Sequence, residues 1–218
     1  MLTAPDAEST TAPRARPTSE RPVLVVAIVI GLLIVAASLI RHDGDIAGLI
    51  KFGAGDTVAE RTAHVEDVLG RDVATVDLLG HDGSMFFLQA LDPFFIDDEH
   101  AVHLDRPVYR AQRMLFPTIA GGLGLLPAEA VLWSMALVNV AAIALGTAGT
   151  ARVAQRLGGS PWLGLTFALN PGIVFEFDIS GAGILSFACA IWGTLAVMDR
   201  RLRSAVLWFC AAVLAAPR

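Results

Sequence analysis

Charge is the scarcest resource in this chain: only 17% of its residues are Asp, Glu, Lys or Arg, against about 25% in ordinary soluble domains. Hydrophobic residues make up 55%, and the mean hydropathy is +0.61. These values exclude an ordinary water-soluble domain and point to an integral membrane protein. Cysteine is equally scarce. Cys189 and Cys210 both lie in apolar stretches, with no CxxC pair and no spacing for a disulfide framework, so both read as small buried hydrophobes. No basic stripe is long enough to hold a nucleic acid, which excludes that partner.

The few charges are unevenly spread. Residues 42–115 carry fourteen Asp/Glu against six Lys/Arg, a balance of −8 within a net charge of −5, which leaves +3 elsewhere. An acidic, water-exposed segment is therefore joined to a mildly basic apolar body.

The expected fold is an all-α membrane protein with four to five transmembrane helices and a large extracytoplasmic loop containing amphipathic interfacial helices. Residues 1–22 are rich in Ala, Pro, Thr, Ser and Arg without an apolar period and read as a disordered cytoplasmic tail. The run 23–40 follows: eighteen apolar residues at about 1.5 Å each reach about 27 Å, enough to cross a bilayer core with slight thinning. It exceeds the hydrophobic region of a cleaved signal peptide and ends in Leu39-Ile40-Arg41 without a small-residue cleavage site, so it reads as an uncleaved anchor. Residues 41–115 form the acidic loop. Residues 116–218 form the membrane body, with spans at about 128–150, 162–177 and 181–198 and a partial one at 204–216. Because this last run is short and stops at Pro217-Arg218, the chain reads either as ending in a half-inserted helix or, the favoured reading, as the front portion of a longer protein.

Arginines mark alternate sides of these spans. Arg14, Arg16 and Arg21 precede the first, Arg152 and Arg156 follow the second, and Arg200, Arg201 and Arg203 follow the fourth, while the turn at 178–180 has none. The positive-inside rule puts those three clusters in the cytoplasm, and 41–115 with 178–181 outside. The stretch 115–126, with Pro117, Gly121-Gly122 and Pro127 after it, is too short to span alone. It is either a re-entrant or interfacial piece or the first part of a broken second helix. Asn170-Pro171-Gly172 should break the third span.

Candidate chemistry gathers on the outer side. In Arg106-Pro107-Val108-Tyr109-Arg110-Ala111-Gln112-Arg113, steps of four and three put Arg106, Arg110 and Arg113 on one helical side. Guanidinium groups there either fork to a phosphate or snorkel to lipid head groups. Asp82 opens an apolar segment, Met85-Phe86-Phe87-Leu88, that ends at Leu91-Asp92-Pro93. Locally Asp82 reads first as an N-cap, with a general base as the functional alternative, on a helix lying in the membrane interface. Glu176 and Asp178 fall near the outer end of the third span, where ionisable groups suggest function. The group Asp97-Asp98-Glu99-His100, with His103 and Asp105, offers hard oxygen and imidazole donors for a divalent metal, but the spacing fits neither a calcium loop nor an HExxH motif, so a solvated acidic turn is expected and no metal ligand is assigned. His42, His64 and His81 are scattered and carry no argument. No cofactor is indicated.

At these residues the chain resembles the bacterial branch of the C-type glycosyltransferase superfamily, multi-span enzymes that use polyprenyl-phosphate sugars. His81-Asp82-Gly83-Ser84-Met85-Phe86-Phe87 with Leu91-Asp92-Pro93-Phe94 is similar to a Tyr-Asp-Gly-Gln-aromatic block followed by Asp-Pro. Tyr109-Arg110-Ala111-Gln112-Arg113-Met114-Leu115-Phe116-Pro117 is similar to a Tyr-Arg-x-Gln-Arg-x-Leu-Tyr-Pro block, and Asn170-Pro171 with Phe175 to an Asn-Pro turn. The departures are His81 for tyrosine, Ser84 for glutamine, Phe86 and Phe87 without hydroxyls, and four spans with a partial fifth where the family generally has eight or more. The resemblance implies a sugar transferase in which Asp82 is the essential acid and Arg110 and Arg113, with Arg106, hold the donor phosphate. Tyr109, Gln112, Asp92, Glu176 and Asp178 would line the site. The partners implied are a lipid-linked sugar and membrane lipids. A non-catalytic membrane subunit or binding protein is the competing class. A transporter is weaker, since no predicted span carries a charge at its middle.

Overall fold

A computed structural model describes residues 19–76, 79–96 and 98–215, so most of the tail expected at 1–22, together with Asp97, lies outside the described residues. The described residues are mostly helical: α1 (Arg21–Arg41), α2 (Ala59–Leu69), α3 (Asp82–Leu91), α4 (Asp98–Ala101), α5 (Pro107–Arg110), α6 (Leu115–Ala120), α7 (Ala128–Arg156), α8 (Leu165–Ala168), α9 (Pro171–Asp178), α10 (Gly183–Met198) and α11 (Leu202–Ala215). One two-residue parallel pair joins β1 (Phe52–Gly53) to β2 (Thr75–Val76), with Phe52 opposite Thr75.

Two of the described helices, α1 and α7, are long and apolar enough to cross a membrane. In α1 a stripe at steps of four, Val23, Ala27, Gly31 and Val35, is buried, while Val25, Ile28, Val29, Leu32 and Leu33 stay exposed. The small residues on that stripe let α1 close on α7: Gly31 sits against the side chain of Val140, the close approach typical of helices packed in lipid. Helices α10 and α11 pack on each other and α10 on α7, and Ser186 Oγ donates to the Ala212 carbonyl at 2.9 Å.

The third apolar segment is broken where expected. Asn170 caps α9, its Oδ1 accepting from the Gly172 N–H at 2.8 Å, and Pro171 supplies the first helical position without needing a partner for its nitrogen. In the stretch 115–126, α6 ends at Ala120, and Gly122, Leu123 and Gly124 turn the chain with positive φ values before α7 begins.

Ion pairs fall at opposite ends of the long helices. At one end Asp178 meets Arg41 (3.1 Å) and Lys51 (3.5 Å), and Arg71 meets Asp45 (3.0 Å) and Glu129 (3.3 Å). At the other, Arg152 meets Glu20 (3.1 Å), and Arg156 meets Asp199. The connecting segments 42–114 fold over the first end as a cap.

Helix α3 corrects the expectation of an interfacial helix. Gly83 to Ala90 are all buried, and Phe86, Phe87 and Leu88 are fully enclosed. The two phenylalanines are tertiary core, packed edge to face against Phe52 at 6.0 Å and Phe116 at 5.6 Å. Helices α6 and α7 cover the face that the local sequence would have given to lipid.

Candidate functional site

Asp82 stands at the first turn of α3, and its carboxylate does not cap the helix. The cap position is His81, in extended backbone, and its carbonyl accepts from both the N–H (3.1 Å) and the Oγ (2.9 Å) of Ser84. The Asp82 carboxylate is engaged by arginines instead. Arg110 Nη2 donates to Oδ1 at 3.1 Å and Arg113 Nη1 to Oδ2 at 3.4 Å. The ion pairs, not the helix end, fix its direction.

Both arginines are buried although their anions are not. The side chains of Arg110 and Arg113 are 3% and 5% exposed, whereas Asp82 keeps 43%. Arg110 is also gripped from behind by Asp105, whose Oδ1 accepts from Nε at 2.9 Å and whose Oδ2 accepts from Nη2 at 3.2 Å. Its guanidinium lies 5.8 Å from the centre of the Phe86 ring. Burial disfavours the cation, but the hydrogen bonds and charges of Asp105 and Asp82 outweigh it and hold Arg110 above its ordinary pKa. For Asp105, burial pushes up and the hydrogen bond and charge of Arg110 pull down harder, leaving the carboxyl below its usual range. The Nη1 of Arg110 is buried without a hydrogen-bond partner among the described residues, and other parts of the residue line the cavity described next.

That cavity, of about 470 Å³, is walled by Arg61, His81, Asp82, Asp105, Arg110 and Glu176, with Met85, Phe86 and Ile179 among its apolar lining. Its size falls within the roughly 300–1,000 Å³ of small-molecule sites. Glu176 reaches it from α9, its Oε2 accepting from the Gly183 N–H at 3.1 Å. Two glycines make room for these carboxylates and their helices. A Cβ on Gly181 would lie 2.1 Å from Glu176 Oε2, and one on Gly83 would lie 2.3 Å from the Ile179 carbonyl oxygen and 2.8 Å from that of Ile50.

The structure brings together Asp82, Arg110, Arg113, Tyr109 and Glu176. The Tyr109 hydroxyl accepts from Arg113 Nη2, and the Arg113 guanidinium sits 4.4 Å from the centre of the Tyr109 ring. The other expected members lie elsewhere. Arg106 is exposed at the start of α5, because the predicted arginine face is not one helix: α5 lasts four residues and a 3₁₀ turn, Ala111–Arg113, follows. Gln112 is exposed on that turn. Asp92 is at the far end of α3 from Asp82, about 15 Å away at 1.5 Å per residue. Asp178 ties α9 to α1 through Arg41 and to Lys51.

Four participants carry no local signal. Asp105 looked like part of a solvated acidic turn, yet it is the second anchor of Arg110. Gln89, wholly buried, donates from Nε2 to the Arg110 carbonyl at 2.9 Å. Arg61 of α2 donates from Nε to the His103 carbonyl at 3.0 Å and lines the cavity; burial depresses its pKa, with Asp105 opposing and Arg110 adding to the effect. His64, far from any motif, hydrogen-bonds through Nε2 to His100 Nδ1 at 3.0 Å and stacks on His103 at 4.2 Å between ring centres.

Comparisons with protein-family models, with curated proteins and with solved structures find no match for this chain.

Proposed function

We propose that the chain is a multi-pass membrane protein of glycosyltransferase type that moves a sugar from a polyprenyl-phosphate donor to an extracytoplasmic hydroxyl acceptor. In this reading five segments cross the bilayer: α1, α7, the broken 161–178 segment, α10 and α11. The N-terminus is cytoplasmic. The ends carrying Arg152, Arg156 and Arg200 to Arg203 lie inside, and the cap over residues 42–114 lies outside. Large apolar side chains exposed along α1, α7 and α11, such as Leu33, Leu137 and Val213, support a lipid-facing belt.

One observation carries the reading: two buried arginines converge on a half-exposed carboxylate at the wall of a small-molecule-sized cavity. Buried cations with outward-facing anions suit a ligand phosphate, which can take over guanidinium forks now held by carboxylates. A phosphate that drew Arg113 Nη1 and Arg110 Nη2 to itself would release Asp82. The freed carboxylate takes the proton of the acceptor hydroxyl, and the hydroxyl oxygen attacks the anomeric carbon. The bond from that carbon to the phosphate oxygen breaks, and the polyprenyl phosphate leaves with its charge held by the arginines. Donor binding would thus switch on the base.

A second reading, a non-catalytic membrane subunit or binding protein, is favoured by one fact: both Asp82 oxygens are already occupied, as in a purely structural clasp. Sugar transfer from a polyprenyl-phosphate donor by Asp82→Asn and Arg113→Gln decides between them. The enzyme reading expects each to lose at least about a hundredfold in rate; undiminished transfer by both removes it. The orientation is checked separately, by labelling Ala63→Cys on α2 with a membrane-impermeant maleimide in intact cells. Labelling only after lysis would overturn the topology.

A further inference from the structure

At the end of the helices opposite the site just described lies a second cavity, of about 570 Å³, between α7, α10 and α11. Its cations are Arg152, Arg156 and Arg201, its anions Glu20 and Asp199, and its aromatic wall is Trp192 and Trp208. We infer that this cavity binds the phosphate head group of an anionic phospholipid on the cytoplasmic face. The inference rests on the multi-pass topology proposed above and not on sugar transfer.

The arrangement is built, not incidental. Trp192 is fixed by its Nε1, which donates to the Leu145 carbonyl at 2.9 Å. Its ring lies between the Arg152 guanidinium, 4.7 Å from the ring centre, and the stacked Trp208, at 5.8 Å. Arg152 is thereby held in place with its Nε donating to Glu20 at 3.1 Å, and it lines the cavity. Arg156 is spent on Asp199. Arg201 makes no ion pair among the described residues and stands exposed, with Arg200 beside it on the connector and Arg203 in the first turn of α11. The cavity therefore keeps an excess of positive charge after its internal pairs are counted, at the level where tryptophan favours the lipid interface.

The ligand chemistry follows from what surrounds the cations. A soluble phosphate has no use for the apolar lining from Leu195, Ala196 and Trp208. A diacyl anion does. Its phosphate meets Arg152 and Arg201, its glycerol region the tryptophan edges, and its chains run along the exposed Val206, Leu207 and Val213 of α11. Basic pockets between membrane helices on the cytoplasmic side select anionic head groups, each arginine near the surface adding enough to change occupancy about fivefold.

The test uses the full chain with Trp133→Phe and Trp162→Phe, so that emission comes from Trp192 and Trp208. It is reconstituted in phosphatidylcholine bilayers holding a fixed fraction of phosphatidylglycerol, with bromine near the head-group end of the chains of one lipid or the other. Brominated phosphatidylglycerol is expected to quench more per molecule than brominated phosphatidylcholine. Removing one arginine, as Arg201→Gln or Arg152→Gln, should cut that preference about fivefold, while Arg41→Gln at the opposite end should leave it unchanged. Arg201 is the cleaner variant because its side chain is exposed and makes no ion pair among the described residues. Equal quenching by the two lipids, or a preference that survives in the double variant Arg152→Gln/Arg201→Gln, overturns the proposal. Saturable binding of inorganic phosphate in phosphatidylcholine-only bilayers, without any preference for phosphatidylglycerol, would assign the cavity to a soluble anion and overturn it as well.

Discussion

Arg110 Nη2 lies 3.1 Å from Asp82 Oδ1 although 28 positions separate the two residues. This pair joins α3 to α5 at the point where the cap closes over the helices. It is asymmetric: the cation is buried and the anion half open to water. A buried cation left alone is costly, so Arg110 depends on its carboxylate partners.

Arg110→Met should therefore destabilise the cap. It removes one ion-pair partner from Asp82, which keeps Arg113, and the Arg110 partner of Asp105, and it keeps most of the volume. Breaking a fully buried pair costs about 3–5 kcal/mol, but each carboxylate here is more than one-third exposed and partly screened. The expected loss is about 1–3 kcal/mol, read by thermal unfolding in detergent. Asp105→Asn, which keeps Asp82 as partner, should lose less.

Gln89→Leu tests how the arginine is positioned. It deletes one buried hydrogen bond to the Arg110 carbonyl, worth about 1 kcal/mol of stability. If sugar transfer is the activity, a lower kcat with little change in KM is expected, because Gln89 touches the backbone that carries the arginine. An unchanged kcat would show that the backbone at Arg110 holds its place without this bond.

Gly83→Ala should be among the most damaging small substitutions in the chain. Its new methyl would press on the carbonyls of Ile179 and Ile50, both backbone and unable to swing away. Overpacking of this kind costs about 1–3 kcal/mol. It would also push Asp82 off the cavity wall, so lost stability and lost ligand binding should appear together. Ser84→Ala, one position on, removes only a local hydroxyl bond to His81 and serves as the mild control.

Acid should weaken the cap through His64. Burial first, then the neighbouring His103 and His100, lower its pKa from 6.5, with Glu99 and Asp67 opposing. A base with a depressed folded pKa binds fewer protons folded than unfolded, so stability rises with pH up to the unfolded value and falls below it. The melting temperature should therefore drop between about pH 7.5 and about pH 5.5, and His64→Gln should flatten that slope. Asp105 acts lower down. Its depressed pKa gives a contribution present above the ordinary carboxylate range and lost as pH falls through the folded value.

Much of the helical layout is legible in the sequence. The apolar runs at 23–40, 128–150 and 181–198 became α1, α7 and α10, because a long apolar segment must satisfy its own backbone whatever packs around it. The break at Asn170-Pro171 was legible for the same local reason, a proline without an N–H. The site was legible only in part. Asp82, Arg110 and Arg113 stood out as charges beside apolar sequence, but the arginine face was read as one helix when it is a turn of α-helix followed by a 3₁₀ turn.

Local sequence, then, determined which stretches are helical and where charge is concentrated, since hydrophobic run length, proline chemistry and arginine placement act within a few residues. Tertiary structure alone decided what each charge does. Asp82 capping nothing and gripping two arginines, Asp105 serving as an anchor, α3 lying in the core and His64 meeting His100 and His103 all depend on segments tens of residues apart. Whether such a group is buried or wet, paired or open, is set by the neighbour that happens to cover it, and no local pattern records that neighbour.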